Sequence, residues 1–129
     1  MTKNKQKLEL TWIGKGQEMN LEPRILVENP EKSYGDPNTE NMLIHGDNLL
    51  ALKALEQNYT GKIKCIYIDP PYNTGARIDA DGKEIGYDDN VEHSLWLSLM
   101  QKRLLILRNL LSADGSIWIS IDEKEGHYL

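Results

Sequence analysis

From residue 42 onwards the chain contains short apolar runs and leucines at regular spacing, which predict strands and a helix. The runs at 42–46 and 63–68 each predict a strand, because a few consecutive apolar residues bounded by turn residues are typical of buried strands. Between them, Asp47 or Asn48 can cap a helix. That helix carries its apolar residues at helical spacing: Leu49, Leu50, Leu52 and Leu55. The run at 63–68 is apolar apart from Lys64, which favours a central strand buried on both faces.

The second half of the chain continues the alternation of helices and strands. Residues 73–92 contain several glycines and aspartates without an apolar period, which predicts a long loop. An apolar helix is predicted over 93–111, a turn over 112–115 and a strand over 116–121. Residues 123–129 resemble the opening of a further helix. This order predicts an α/β fold, part of a doubly wound, Rossmann-like parallel sheet with helices on its faces.

The first 41 residues follow a different pattern. Residues 8–13 alternate and predict a short strand, whereas 17–41 are polar and proline-containing and predict an extended arm. Residues 1–7 are basic, which is typical of a frayed terminus. We therefore predict an N-terminal arm over 1–41 and the first part of a catalytic domain over 42–129.

Composition narrows the class of protein. The chain has 129 residues, of which 40% are hydrophobic and 27% charged, with no apolar run of membrane length and no signal peptide. A cytoplasmic protein that does not contact a membrane is expected. The net charge of −5 excludes a self-sufficient basic DNA-binding domain. If the protein acts on DNA, most of the basic surface that contacts the phosphates must therefore come from outside this chain. Cys65 lies in the apolar run and is predicted to be a buried structural thiol.

Acidic residues follow the predicted strands. Ligands of parallel α/β sheets bind at the carboxyl ends of the strands, where Asp47, Asp69 and Asp122 are predicted to lie. After Asp69 come Pro70 and Pro71, which lack N–H donors and cannot continue a ladder. The strand is therefore expected to end in a rigid corner, which suits a catalytic group.

The residues Asp69-Pro70-Pro71-Tyr72 match the needs of chemistry on a nucleobase amine. The lone pair of such an amine is delocalised into the ring, and two hydrogen-bond acceptors on the NH₂ group make the nitrogen more nucleophilic. Asp69 offers a carboxylate and Pro70 a carbonyl, while Tyr72 offers a ring on which an extruded base can stack. The alternative is an ordinary Pro-Pro turn with a surface tyrosine.

The same four residues resemble the catalytic motif of amino-methyltransferases that act on DNA. Longer runs are similar to the modification subunit of type III restriction–modification systems: LTWIGK at 10–15, LEPRIL at 21–26, GDNLLAL at 46–52, CIYIDPPYNTG at 65–75, WLSLM at 96–100 and DGSIWISID at 114–122. The resemblance implies the methyltransferase variant of the doubly wound sheet, S-adenosylmethionine as donor and N6-methyladenine as product. It also implies that Asp69 and the Pro70 carbonyl bind the adenine N6, that Tyr72 stacks on the base, and that Asp47 lies near the cofactor's adenine. A plain helix cap is the alternative for Asp47.

Two parts of such an enzyme are missing from this sequence. A target-recognition region is absent, and the glycine-rich cofactor loop is absent as well. Gly14-Lys15-Gly16 precedes a polar stretch instead of a helix and is rejected as that loop. The expectation is an N-terminal fragment of an adenine-N6 DNA methyltransferase that is inactive alone. In the complete system DNA, a second copy and a restriction subunit are the expected partners.

Two other hypotheses stay open. The chain is a non-catalytic remnant that dimerises through its apolar helix, or its substrate is cytosine N4 or another planar amine. Among the remaining side chains, Trp96 and Met100 are predicted to pack in the core, and His45 and His93 to be structural or exposed, because they lack metal-ligand spacing.

Overall fold

The computed structural model describes residues 8–17, 21–22, 24–73, 77–78, 84–85 and 89–129. Within these residues the elements run in the order α1 (Asn48–Tyr59), β1 (Ile63–Ile68), β2 (Arg77–Ile78), β3 (Glu84–Ile85), α2 (Asp89–Leu110), β4 (Leu111–Ile119) and α3 (Glu123–Gly126). The chain forms two compact units. The first comprises Met1–Glu18, Pro71–Met100 and Ile121–Leu129, and the second comprises Met19–Pro70 and Gln101–Ser120.

A parallel pair of strands forms the centre of the second unit. β1 pairs with β4 in parallel, with Ile66 opposite Ile117 and Tyr67 opposite Trp118. A helix lies between these strands along the chain, as parallel pairing requires. The predicted α/β class with a parallel crossover is confirmed at this level.

The core of the second unit lies on one face of that pair. Leu49 of α1 packs with three buried residues of α2, namely Ile106, Leu107 and Leu110, and Ile66 and Ile117 of the strands pack against this cluster. On the other face Tyr67 is 70% exposed and Trp118 64% exposed. The prediction that β1 is buried on both faces is therefore wrong, and so is the prediction for Cys65, which is exposed.

Helix α1 begins where its cap predicts and is tied to α2 by polar side chains. Asp47 is the N-cap, and α1 ends at Tyr59. Asn109 Nδ2 of α2 donates to Glu56 Oε1 at 3.0 Å, and Arg103 Nε donates to Asn48 Oδ1 at 2.8 Å. Backbone capping and these cross-helix bonds fix the position of α1 beside the apolar cluster.

We expect Glu56 to contribute a pH-dependent part of the stability. The hydrogen bond from Asn109, and then the contact with Lys53, hold the pKa of the Glu56 carboxyl below its ordinary value of 4.5. A carboxyl with a lowered folded-state pKa stabilises the fold above its unfolded value, and this contribution is lost as the pH falls through the folded value. Glu56→Gln should flatten the decline in stability below about pH 4.5 and change it at pH 7 by less than about 1 kcal/mol.

Urea unfolding followed by circular dichroism at neutral and acidic pH measures this effect. Glu40→Gln is the matched control, since it removes an exposed carboxylate from the same unit. If both variants lose stability with acid as steeply as the parent chain, the role assigned to Glu56 is wrong.

A bulge interrupts the pairing of β4 with β1. Ile63 is opposite Leu111, but the next pair is Cys65 with Ser116, so the intervening residues of β4 loop out of register. The turn predicted over 112–115 lies in this irregularity, and the strand runs from Leu111 to Ile119 instead of over 116–121. Gly115 lies at the tightest point, where an added Cβ would be 2.7 Å from the Ile63 carbonyl oxygen.

Gly115→Ala should therefore destabilise the chain by about 1–3 kcal/mol, because a methyl group at this position forces the two backbones apart. Thermal unfolding of the chain measures the loss. Gly126→Ala serves as the control glycine, since its Cβ would meet Ile121 Cγ2 at an ordinary 3.6 Å. Equal melting temperatures for the two variants would show that the bulge tolerates a side chain.

Two predicted strands do not form. Residues 8–12 are irregular and 13–16 form a turn, while residues 42–46 are irregular with Leu43 fully exposed. An alternating or apolar run becomes a strand only when a neighbour completes its ladder, and each of the two sheets in the described residues has two strands. The predicted doubly wound sheet is thus represented here by one parallel pair.

The predicted loop over 73–92 is also structured in part. β2 and β3 pair antiparallel within it, and α2 begins at Asp89 instead of residue 93. The other residues of this loop between 74 and 88 lie outside the described residues, as do residues 1–7. Residues 21–22 and 24–41 contain neither helix nor strand, and the boundary at 41/42 stays a prediction. None of the helices in the described part of the chain is long and apolar enough to cross a membrane.

Candidate functional site

Asp69 lies at the carboxyl end of β1, where the parallel pair of strands ends. The Ile68 carbonyl accepts a hydrogen bond from Ser120 N at 2.9 Å, so the ladder continues to the last residue of β1. Asp69 follows immediately and is exposed, and Pro70 is half-buried. An acidic side chain therefore stands at the carboxyl end of a parallel strand, as predicted for Asp69.

Pro71 and Tyr72 belong to the first unit, where α2 holds the backbone. The indole Nε1 of Trp96 donates to the Pro71 carbonyl oxygen at 2.6 Å, and Trp96 is 4% exposed. Tyr72 is half-buried. The predicted burial of Trp96 and Met100 is confirmed. The hydrogen bond of Trp96 was not predicted, although a buried indole N–H usually needs an acceptor.

Asn73 is held by two residues of α3. Its backbone is left-handed, with φ 55°. Lys124 Nζ donates to the Asn73 carbonyl at 2.8 Å, and Asn73 Nδ2 donates to Glu125 Oε1. Glu125 is fully buried, and His93 Nδ1 lies 2.8 Å from the same oxygen. The sequence analysis missed Glu125, because no local pattern connects residues that lie 52 positions apart.

Two aspartates of the predicted ligand edge act as helix caps. Asp122 Oδ1 accepts from Lys124 N at 3.0 Å at the start of α3. Asp47 Oδ1 accepts from Leu49 N at 3.0 Å and from Leu50 N at 3.1 Å. The capping alternative for Asp47 is confirmed, and Asp122 caps α3 in the same way. The cofactor role of Asp47 stays a prediction.

A family model described as DNA methylase matches residues 63–129, which is the stretch that begins with β1 and includes the Asp-Pro-Pro-Tyr motif. The chain belongs to this DNA methylase family. The match covers just over half of the chain and includes both strands of the parallel pair. The resemblance on which the sequence analysis relied is confirmed.

Curated relatives of this methylase chain come from type III systems. It is 47% identical over 97 residues to the probable type III restriction-modification enzyme HindVI Mod subunit of Haemophilus influenzae, covering 75% of this chain and 12% of the relative. It is 35% identical over 157 residues to the type III EcoPI Mod subunit of Escherichia phage P1, covering 98% of this chain and 24% of the relative. The type III EcoP15I Mod subunit of Escherichia coli is also 35% identical, and that match covers 95% of this chain and 24% of the relative. The chain thus spans less than a quarter of the length of these relatives.

The described residues do not build a complete cradle for the methyl donor of this family. Gly14 and Gly16 lie in a turn with positive φ, and within the described residues no helix begins after it before Asn48. A helix N-terminus directly after a glycine loop is what binds a cofactor in such folds. The rejection of Gly14-Lys15-Gly16 as the cofactor loop stays a prediction.

Proposed function

We propose that this methylase chain carries the base-binding motif of an adenine-N6 DNA methyltransferase. The observation that carries the proposal is Asp69-Pro70-Pro71-Tyr72 at the exit of a parallel strand, inside the stretch that the DNA methylase family model matches. Adenine is the favoured base because the Mod-subunit relatives are type III and because Asp as the first motif residue resembles the adenine enzymes.

Asp69 is assigned the role of hydrogen-bond acceptor for the adenine N6 amine. Its exposure at the strand end makes the carboxylate accessible to a base drawn out of the duplex. Bonding to the N6 hydrogens localises the lone pair on nitrogen and stabilises the positive charge that develops there during transfer. The donor in this family, S-adenosylmethionine, supplies the methyl group when it is bound.

The second acceptor is assigned to the Pro70 carbonyl. The next carbonyl along the chain, that of Pro71, already accepts from the Trp96 indole. Tyr72 is assigned to stack on the extruded adenine, since an aromatic face replaces the neighbours that the base loses in leaving the duplex. Rigid prolines between these groups reduce the entropy lost in aligning them.

The complete protein is proposed to act on DNA together with further polypeptide. The relatives are four or more times longer than this chain and are named as subunits of restriction–modification enzymes. We assign the remaining strands of a doubly wound sheet, the donor loop and the base-reading surface to that further polypeptide, with a second copy and a restriction subunit as partners. The net charge of −5 supports this division, because phosphate contacts require a basic surface.

Analysis of methylated nucleosides tests the proposal. The complete protein is incubated with unmethylated DNA and isotopically labelled S-adenosylmethionine, and the nucleosides are identified by mass spectrometry. Labelled N6-methyladenine is the expected product. Labelled N4-methylcytosine would overturn the choice of base. The absence of any methylated nucleoside, even after a polypeptide with the donor loop is added, would favour a non-catalytic remnant.

A further inference from the structure

The backbone on either side of Tyr72 is fixed by partly buried polar contacts within the first unit. On one side the Trp96 indole donates to the Pro71 carbonyl at 2.6 Å. On the other, Lys124 Nζ donates to the Asn73 carbonyl at 2.8 Å, and the Asn73 side chain donates to Glu125. Tyr72 therefore lies between two anchored carbonyl groups, one held by α2 and one by α3.

This arrangement places two unfavourable features next to Tyr72. Glu125 is fully buried, and a carboxylate loses much hydration energy when it is removed from water. Its Oε2 atom has no hydrogen-bond partner among the described residues. Asn73 adopts φ 55°, a conformation that costs energy for residues other than glycine and that asparagine tolerates best.

The contacts of Glu125 offset part of these costs. Its Oε1 atom accepts from Asn73 Nδ2 and lies 2.8 Å from His93 Nδ1, although the His93 contact lacks hydrogen-bonding alignment. Both Lys124 and Glu125 lie in α3, whose N-terminus Asp122 caps. Replacing a buried ionisable side chain by a well-packed apolar one is often neutral or stabilising, so packing alone does not account for a fully buried carboxyl group at this position.

We infer that Glu125 is a positioning residue that, through Asn73, holds the ring of Tyr72 in the orientation needed to stack on the extruded base. This inference rests on the proposed function. Glu125 acts without contacting substrate, and its loss should lower the rate of transfer while leaving the affinity for DNA and donor largely unchanged. Misplacement of a substrate-positioning group by about 1 Å is enough to lower turnover by up to about a hundredfold.

Steady-state kinetics of four variants of the complete protein test the inference. Glu125→Ala and Asn73→Gly should lower kcat about ten- to a hundredfold, with KM for DNA within about threefold of the parent value. Glycine adopts the backbone of Asn73 without strain, so this second variant removes the hydrogen bond to Glu125 without straining the backbone. Circular dichroism of each variant checks that it is folded. Glu125→Gln keeps an acceptor for Asn73 and should recover most of the rate. Glu123→Ala is the matched control, an exposed glutamate of the same helix.

Proton exchange at the Trp96 indole, followed by NMR, provides a readout that does not depend on methylation. If Asn73 and Trp96 hold one segment together, Asn73→Gly should speed exchange of the Trp96 Nε1 proton about five- to tenfold, and Glu123→Ala should not. Unchanged exchange overturns the anchoring of Tyr72. Faster exchange with unchanged kcat shows that the anchoring does not serve methyl transfer and overturns the positioning role. A parent protein that makes no methylated base overturns the proposed function, whereas the exchange result still decides whether Asn73 anchors the segment.

Discussion

Replacing Asp69 with alanine is expected to lower the turnover of DNA methyl transfer by about a hundredfold or more, with little change in stability. The proposed mechanism uses the Asp69 carboxylate to hold the N6 hydrogens while positive charge develops on the nitrogen. Alanine removes that acceptor, and the Pro70 carbonyl alone then orients the amine. Because Asp69 is exposed at the end of β1, its side chain contributes little to the packing of the core.

Initial rates of N6-methyladenine formation by the complete protein measure this loss. Asp114→Ala is the matched control, since Asp114 is an exposed aspartate in the bulge of β4, where it binds Lys64 Nζ at 2.5 Å. Loss of a surface ion pair of this kind costs little, so the control should retain nearly full activity. Asp69→Asn should lie between the two, because the amide keeps one acceptor oxygen. Normal turnover in Asp69→Ala would remove the carboxylate from the mechanism.

Leu110→Ala is expected to destabilise the chain by about 2–5 kcal/mol. Leu110 is 3% exposed and packs with Leu49, Ile106 and Leu107 in the core of the second unit. Truncation to alanine removes buried methyl groups and leaves a cavity that the rigid helix–sheet contact cannot close. For a small chain, a loss of this size is a large part of the total free energy of unfolding.

Urea denaturation followed by far-ultraviolet circular dichroism measures this effect. Leu105→Ala is the matched control on the same helix, since Leu105 is 55% exposed and its truncation should cost well under half as much. If the two variants unfold at the same urea concentration, the apolar cluster assigned to the second unit does not stabilise it. Circular dichroism before unfolding also shows whether either variant has lost helix content in the native state.

Local patterns were sufficient for α1 and for the limits of β1. A side-chain cap at Asp47 and leucines at helical spacing fix the start and the buried face of α1. β1 matches its apolar run from Ile63 to Ile68, because the prolines that follow cannot donate to a ladder. The position of Asp69 at a strand end followed from the same short-range rule.

The predictions of strands at 8–13 and 42–46 were wrong because a local pattern does not show whether a partner strand is present. Strand formation depends on a partner that completes the backbone hydrogen bonds, and the described residues pair β1 with β4 and β2 with β3 only. The predicted burial of both faces of β1 was wrong for a similar reason, since an apolar run does not show whether one or both faces of the strand are covered by helices. Tyr67 and Cys65 are exposed on the face opposite the apolar cluster.

The sequence by itself determined the family, the limits of β1 and the place of the Asp-Pro-Pro-Tyr motif, because each depends on residues that are adjacent or regularly spaced. Tertiary structure alone decided how the backbone around Tyr72 is held. Trp96 donates a hydrogen bond to the Pro71 carbonyl, 25 residues away along the chain. Asn73 donates one to Glu125, which is 52 residues away. Such contacts form when helices that are far from the motif along the chain pack beside it in the fold. The hydrogen bonds that hold the backbone around the tyrosine therefore depend on residue pairs that a local sequence pattern does not reveal.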